Sequence, residues 1–159
     1  MLKITIVALG KIKEKPLEKL IEEYVKRLGR YAKIQVIELL DQPVPPHPSK
    51  GEIERVLLQE EKEILKKIGE KAWVVSLCIE GKEVDSQGMA NWLSAAAHQT
   101  SEMVFVLGSS HGLSDEIKKR SQWLLSLSKM TFPHNLARLM LLEQLYRSFK
   151  MLQGEPYHK

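Results

Sequence analysis

Short apolar runs alternate with longer amphipathic stretches along the chain, and the period of the apolar positions changes with them. Lys3–Leu9, KITIVAL, is rich in β-branched residues and stops at Gly10, which predicts a strand. From Pro16 to Gly29, Leu17, Leu20, Ile21, Tyr24, Val25 and Leu28 share one helical face. Lys33–Leu40 contains IQVIELL and predicts a second strand. The next segment, DQPVPPHPSKG, carries four prolines, which suit neither a helix interior nor a central strand, so it is a surface loop. Helical spacing resumes over Glu52–Ile68 at Ile53, Leu57, Ile64 and Ile68, and Gly69 closes it.

Ala72–Ile79, AWVVSLCI, predicts a buried strand, and EGKEVDSQG a loop in which Asp85 or Ser86 caps a helix running to about His98. Met103–Leu107 is a continuous apolar strand ended by Gly108. Ser114 then caps a short helix whose first turn holds Asp115 and Glu116, where negative charge is favourable. Trp123–Leu127 predicts a short strand and His134–Leu152 a long amphipathic helix, released at Gly154. Leu139, Leu142, Leu145, Tyr146 and Phe149 form the apolar face of that helix, available both to cover the sheet and to form an interface. Strands alternating with helices, several of them continuously apolar, imply an α/β fold with a mostly parallel sheet and helices on both faces. No internal repeat or boundary divides residues 1–159, so one domain is expected.

Composition adds limits. With 43% hydrophobic and 28% charged residues the chain has an ordinary globular mixture. Cys78, the only cysteine, excludes an internal disulfide and reads as a small buried hydrophobe. No apolar run reaches the ~20 residues that cross a bilayer, and the N-terminus lacks a basic leader before a long apolar core. A cytoplasmic location without membrane association is expected. The net charge of +4 is uneven: residues 1–117 hold 16 basic and 18 acidic side chains, residues 118–159 hold 8 and 2. That asymmetry points to a polyanionic partner at the C-terminal portion.

In a parallel sheet, ligands sit beyond the carboxyl ends of strands. Ser76–Gly81, Gly108–Gly112 and Leu127–Phe132 all fall there. LGSSHG is not a phosphate loop, because Leu113-Ser114 follow where Lys-Ser/Thr would be needed, and ALGKIK has one glycine where a dinucleotide fingerprint has three. His47, His98, His111, His134 and His158 are scattered without metal-ligand spacing, so no metal is expected; His98, near a predicted helix end, fits a capping or exposed role. Ser109, Ser110, Ser126 and Ser128 lack a nucleophile elbow and an assignable acid–histidine pair. Trp73, Trp92 and Trp123 lie in apolar patterns and belong to the core.

The end of the chain, LSLSKMTFPHNLARLMLLEQLYRSFKMLQGEPYHK, resembles the C-terminal signature of the bacterial RlmH-type ribosomal RNA methyltransferases of the SPOUT superfamily. KITIVALGKIKEK, YVKRLGRY, LCIEGK and FVLGSSHGL occur in family order before it, so the resemblance runs the whole length. It implies a C-terminal trefoil knot and a cofactor site within about residues 75–159, an exception to the rule against knotted chains. It also implies a homodimer that uses S-adenosyl-L-methionine. The implied substrate is N3 of pseudouridine 1915 in 23S rRNA of the assembled 70S ribosome. By position, the cofactor residues would be Leu77, Gly108, Leu127, Ser128, Lys129, Met130, Thr131 and Phe132, with the loop backbone recognising adenine.

For the chemistry, the resemblance puts Tyr157 and His158 of the tail near the target base, with His158 a candidate proton acceptor; closing the pocket or touching phosphate are the alternatives. Arg138, one turn after His134, is expected to face RNA, the alternative being an ion pair such as one with Glu143 of a partner subunit. Lys129, Arg147, Lys150 and Lys159 are candidate phosphate contacts. One departure stands out: the family pattern has two adjacent glycines after the fourth strand, where this chain has Gly108-Ser109, and His111 replaces a smaller or amide-bearing residue. If the second position needs a positive φ, serine there is strained by about 1 kcal/mol. A ribosome-binding protein without catalysis and a transfer-RNA methylase remain open as alternatives.

Overall fold

The computed structural model describes residues 1–157. Ten elements follow one another: β1 Lys3–Leu9, α1 Lys15–Leu28, β2 Lys33–Leu39, α2 Lys50–Leu65, β3 Trp73–Lys82, α3 Ser86–Ala97, β4 Glu102–Leu107, α4 Asp115–Arg120, β5 Trp123–Leu125 and α5 His134–Leu152. The strands form one sheet in the order β2-β1-β4-β3-β5, and every neighbouring pair is parallel. The α/β class and its parallel sheet are thus as the apolar runs imply. Because the strands are parallel, their carboxyl ends lie along one edge, and the loops following β3, β4 and β5 meet there.

Strand alternation divides the core into two layers. Ile4, Ile6, Val75, Phe105 and Leu125 face α1, α3 and α5, where they meet Ile21, Leu93, Leu141, Leu142 and Leu145. Val7, Leu9, Val74, Val104 and Val106 face α2 and α4, against Ile64, Leu113 and Ile117. Trp123 stacks on Trp92 at 4.5 Å and meets the edge of Trp73 at 5.1 Å; all three are half-buried at the margin of the first layer.

Some boundaries move for identifiable reasons. Helix α2 starts two residues before Glu52 because Ser49 and Glu52 form a reciprocal capping box, each at 3.1 Å. Its buried stripe is Val56, Glu60 and Ile64 in place of Ile53 and Leu57, and the helix ends at Leu65. Leu20, expected inside, is 43% exposed. Strand β3 runs on to Lys82, and its pairing with β5 jumps from Leu77 to Lys82, so residues 78–81 bulge outward. Gly81 makes that crossing possible: a Cβ there would lie 2.6 Å from the Leu125 carbonyl carbon. Strand β5 stops at Leu125, two residues short of the expected Leu127, and Ser126 begins the loop with its hydroxyl bonded to the Ser128 carbonyl.

Candidate functional site

Where β3, β4 and β5 end, a cavity of about 750 Å³ opens. Leu77–Glu80, Leu107–Leu113 and Leu125–Ser128 form three of its walls, and Met130–His134 with Ala137 the fourth. The turn after β4 is compact. Gly112 takes φ +84° and its N–H donates to the Ser109 carbonyl at 2.9 Å. Gly108 lies so close to the Gly112 carbonyl that no Cβ has room. Among the described residues no residue other than glycine has a positive φ, so Ser109 carries none of the expected backbone strain.

The loop after β5 is shaped by its own serines. The buried Ser126 hydroxyl donates to the Ser128 carbonyl at 2.9 Å, and the Ser128 hydroxyl accepts from the Met130 N–H at 3.0 Å. No bond among the described residues takes up the Leu127, Thr131 or Phe132 N–H. The cavity therefore presents apolar side chains, notably Leu77, Leu107, Leu125, Leu127 and Phe132, beside backbone donors. Of the eight cofactor positions expected, Leu77, Gly108, Leu127, Ser128, Met130, Thr131 and Phe132 line this one cavity. Lys129 is exposed and is not part of the wall.

Several lining or supporting residues carry no sequence signal of their own. Cys78 is only half-buried and sits on the wall, against the expectation of a core residue; burial still pushes its thiol pKa up. At the rim, Lys118 of α4 pairs with Glu80, the bond holding the carboxyl below and the ammonium above its usual range. Behind the β4 turn, Glu60 is 3% exposed and accepts from the Ser109 hydroxyl at 2.9 Å. Burial raises its pKa, against the lowering effect of that bond. In the sequence Glu60 sits in QEEKE, which reads as a solvated helix face; only the spacing to Val56 and Ile64 marks it as inward.

Arg138 is buried. Its guanidinium is 2% exposed; Nη1 pairs with Glu38 at 2.6 Å and Nη2 donates to the Gly10 carbonyl at 3.1 Å. It faces the ends of β1 and β2 and not the surface, against the expectation, because α5 turns residue 138 into the same buried stripe as Leu141, Leu142 and Leu145. His134 does line the cavity. Glu143 pairs within its own chain, accepting from Arg147 Nη2 at 2.6 Å and from the Tyr157 hydroxyl at 2.8 Å. The Arg147 guanidinium also lies 4.1 Å from the Tyr157 ring centre, so this cation is engaged. Burial and the Glu143 carboxylate push the Tyr157 hydroxyl pKa upward. Tyr157 is not on the cavity wall of its own chain. His158 and Lys159 lie outside the described residues. His98 ends α3, its Nδ1 2.7 Å from the Ser94 carbonyl.

Among the described residues no cluster of three or more His, Cys, Asp or Glu is placed to hold a metal, and no helix is long and apolar enough to cross a membrane. A family described as "Predicted SPOUT methyltransferase" matches residues 2–158. A protein of Bifidobacterium adolescentis named ribosomal RNA large subunit methyltransferase H is 46% identical over 159 residues, covering 99% of this chain and 100% of its own. A solved structure of a probable methylase family protein from Haemophilus influenzae superposes with a TM-score of 0.59 at 12% identity, covering 100% of this chain and 72% of that one. That likeness is one of fold.

Proposed function

The chain belongs to the SPOUT methyltransferase family, and from that premise we propose that it methylates ribosomal RNA of the large subunit, using S-adenosyl-L-methionine. The finer reading is transfer to N3 of a pseudouridine in 23S rRNA, on the assembled 70S ribosome. The observation that carries it is the convergence of the β3, β4 and β5 ends on one cavity in a chain of this family.

The residues present fit the cofactor. About 750 Å³ lies within the roughly 300–1,000 Å³ range of small-ligand pockets. The apolar wall suits an adenine ring, and the Leu127, Thr131 and Phe132 N–H groups suit its ring nitrogens and ribose. Lys118 and Glu80 would hold the amino-acid end, whose carboxylate and ammonium need both signs of charge. When bound, the cofactor supplies an electrophilic methyl on a sulfonium. The protein's part is to place the N3 nitrogen in line with that methyl, exclude water and accept the N3 proton. The knot expected of the family belongs to the same reading; its support is the meeting of segments 77–80, 107–113, 125–128 and 130–134 around one cavity.

The tail acts on a second copy of the chain. Tyr157 is fastened to Glu143 and Arg147, away from its own cavity wall, so Tyr157 and the adjoining His158 serve the cavity of a partner subunit. A second groove of about 620 Å³ between α1, α3 and α5 offers the contact: Leu20, Val84, Met89, Leu139 and Met140 line it, and Leu125–Leu127 belong to both hollows. A two-fold interface there would build each site from both copies.

RNA is met by the β1–α1 loop. Lys11 and Lys13 are exposed on either side of Ile12, which packs against the core. The loop is fastened to α5 by Arg138 at Gly10 and by Asn135, which donates to Glu14 at 3.0 Å. Its two lysines would meet phosphates beside the cavity mouth.

The test is transfer of isotope-labelled methyl to unmethylated 70S ribosomes, with transfer RNA in parallel. Label in 23S rRNA alone is expected. Label in transfer RNA, or none despite ribosome binding, would move the chain to one of the other two readings.

A further inference from the structure

Helix α2 approaches the turn after β4 with two consecutive carboxylates. Glu60 Oε1 accepts from the Ser109 hydroxyl at 2.9 Å, while Oε2 accepts from the Gln42 N–H at 3.3 Å. One residue on, Glu61 Oε1 accepts from the Ser114 hydroxyl at 2.7 Å. Ser109 and Ser114 bracket the segment 110–113, which forms a wall of the cavity. The turn is thus fixed at both ends by one helix.

The position of Glu60 makes this arrangement costly. Val56, Glu60 and Ile64 form one buried stripe at successive i,i+4 steps, and an apolar side chain in the middle would complete it. Burying a carboxyl is unfavourable unless donors satisfy it. Here the donors are the cavity turn and the start of the proline-rich loop, and no basic side chain forms an ion pair with Glu60 among the described residues. The core gains nothing from a carboxyl at this point. The turn does: Leu113 anchors its end in the core, but residues 109–112 are otherwise held by no hydrogen bond among the described residues except that of the Gly112 N–H to the Ser109 carbonyl.

We infer that Glu60 and Glu61 clamp Ser109 and Ser114, and that Glu60 is a positioning residue that presets the β4 turn for the methyl donor. The inference rests on the reading of the cavity as the cofactor site. It also gives Ser109 a purpose: the hydroxyl replaces the freedom of a second glycine with a tether to α2.

The experiment is calorimetric titration of S-adenosyl-L-methionine into wild type, Ser109→Ala, Ser109→Thr, Glu60→Gln and the Ser109→Ala/Glu60→Gln double variant, with melting temperatures measured without ligand. Ser109→Ala should weaken binding about tenfold, the size expected for loss of a hydrogen bond to a charged group, and Glu60→Gln less, because its one carbonyl oxygen can still accept from Ser109 but not from the Gln42 N–H as well. The double variant should be little worse than Ser109→Ala, because without the hydroxyl the residue 60 side chain has no tether left to lose at that end. Ser109→Thr, which keeps the hydroxyl, should bind like wild type. Glu63→Gln, on the exposed face of α2, should also leave affinity unchanged. Should Glu60→Gln fail to fold, Ser109→Ala carries the test alone. Wild-type affinity in Ser109→Ala would overturn the clamp, and so would a lower melting temperature with unchanged affinity. A wild type that binds no S-adenosyl-L-methionine would instead overturn the reading of the cavity, and the clamp with it.

Discussion

Gly108, Glu60 and Arg138 show three ways in which one residue governs the site. At Gly108 the constraint is space. Gly108→Ala pushes a Cβ against the Gly112 carbonyl, so the β4 turn must open and calorimetry should detect no S-adenosyl-L-methionine binding. At Glu60 the constraint is desolvation, joined by repulsion from Asp41 and opposed by His111 and the Ser109 and Gln42 bonds. A carboxyl whose folded pKa is raised binds its proton more tightly in the native state, so stability falls as pH rises from the unfolded to the folded value. Urea unfolding of wild type should therefore lose stability relative to Glu60→Gln as pH climbs above the ordinary glutamate range. A difference independent of pH would contradict this. Arg138 is a strut: Arg138→Ala leaves Glu38 and the Gly10 carbonyl without their donor and should cost about 3 kcal/mol in urea unfolding, the low end for a buried pair because Glu38 is partly exposed. Seven of the eight positions that the resemblance marks line the cavity, and they were legible because they carry a glycine or belong to a motif. Glu60 and Arg138 were not, since a charge in a helical pattern reads as solvated until its neighbours across the sheet are known.

Elements differ in how far local sequence decides them. Helix α5 begins at His134 and ends at Leu152 as its spacing predicts, and α4 begins after Ser114, where a hydroxyl caps the Ile117 N–H. Strand β3 was misjudged at its end, since GKEV reads as a turn and only Gly81 crossing β5 lets pairing resume at Lys82. The division of α5 between sheet and surface was equally hidden: Leu142 and Leu145 are buried, while Leu139 lines the second groove. The β1–α1 loop belongs to this scale too. Lys11→Gln/Lys13→Gln should raise the KM for ribosomes and reduce the salt slope by about 1–2, at roughly 0.7 per phosphate contact, with cofactor affinity unchanged. The same two changes at Lys62 and Lys67 of the α2 region should leave the slope alone. A slope unmoved by the Lys11/Lys13 pair would remove this loop from the RNA surface.

For the whole molecule, parallel order β2-β1-β4-β3-β5 does what no single element can: it brings three sequence-distant loops to one edge and leaves a second hollow sharing Leu125–Leu127 with the first. The alternation of strands and helices announced the sheet, but strand order depends on which apolar faces meet, and period alone does not encode that. The basic excess after residue 117 was likewise a partial guide, because Arg138, Arg147, Lys150 and Lys118 are paired within the chain, which leaves Lys129 exposed beside the cavity. If the second groove is a two-fold interface, Leu139→Glu should convert a dimer to a monomer in sedimentation and abolish transfer while the chain stays folded. The most direct measurement is mass spectrometry of 23S rRNA fragments after unmethylated 70S ribosomes meet the purified protein and labelled S-adenosyl-L-methionine, with Gly108→Trp alongside. The account predicts one labelled methyl on N3 of a pseudouridine, absent with the variant. Label at another nucleotide, or none from a folded wild type, would contradict it.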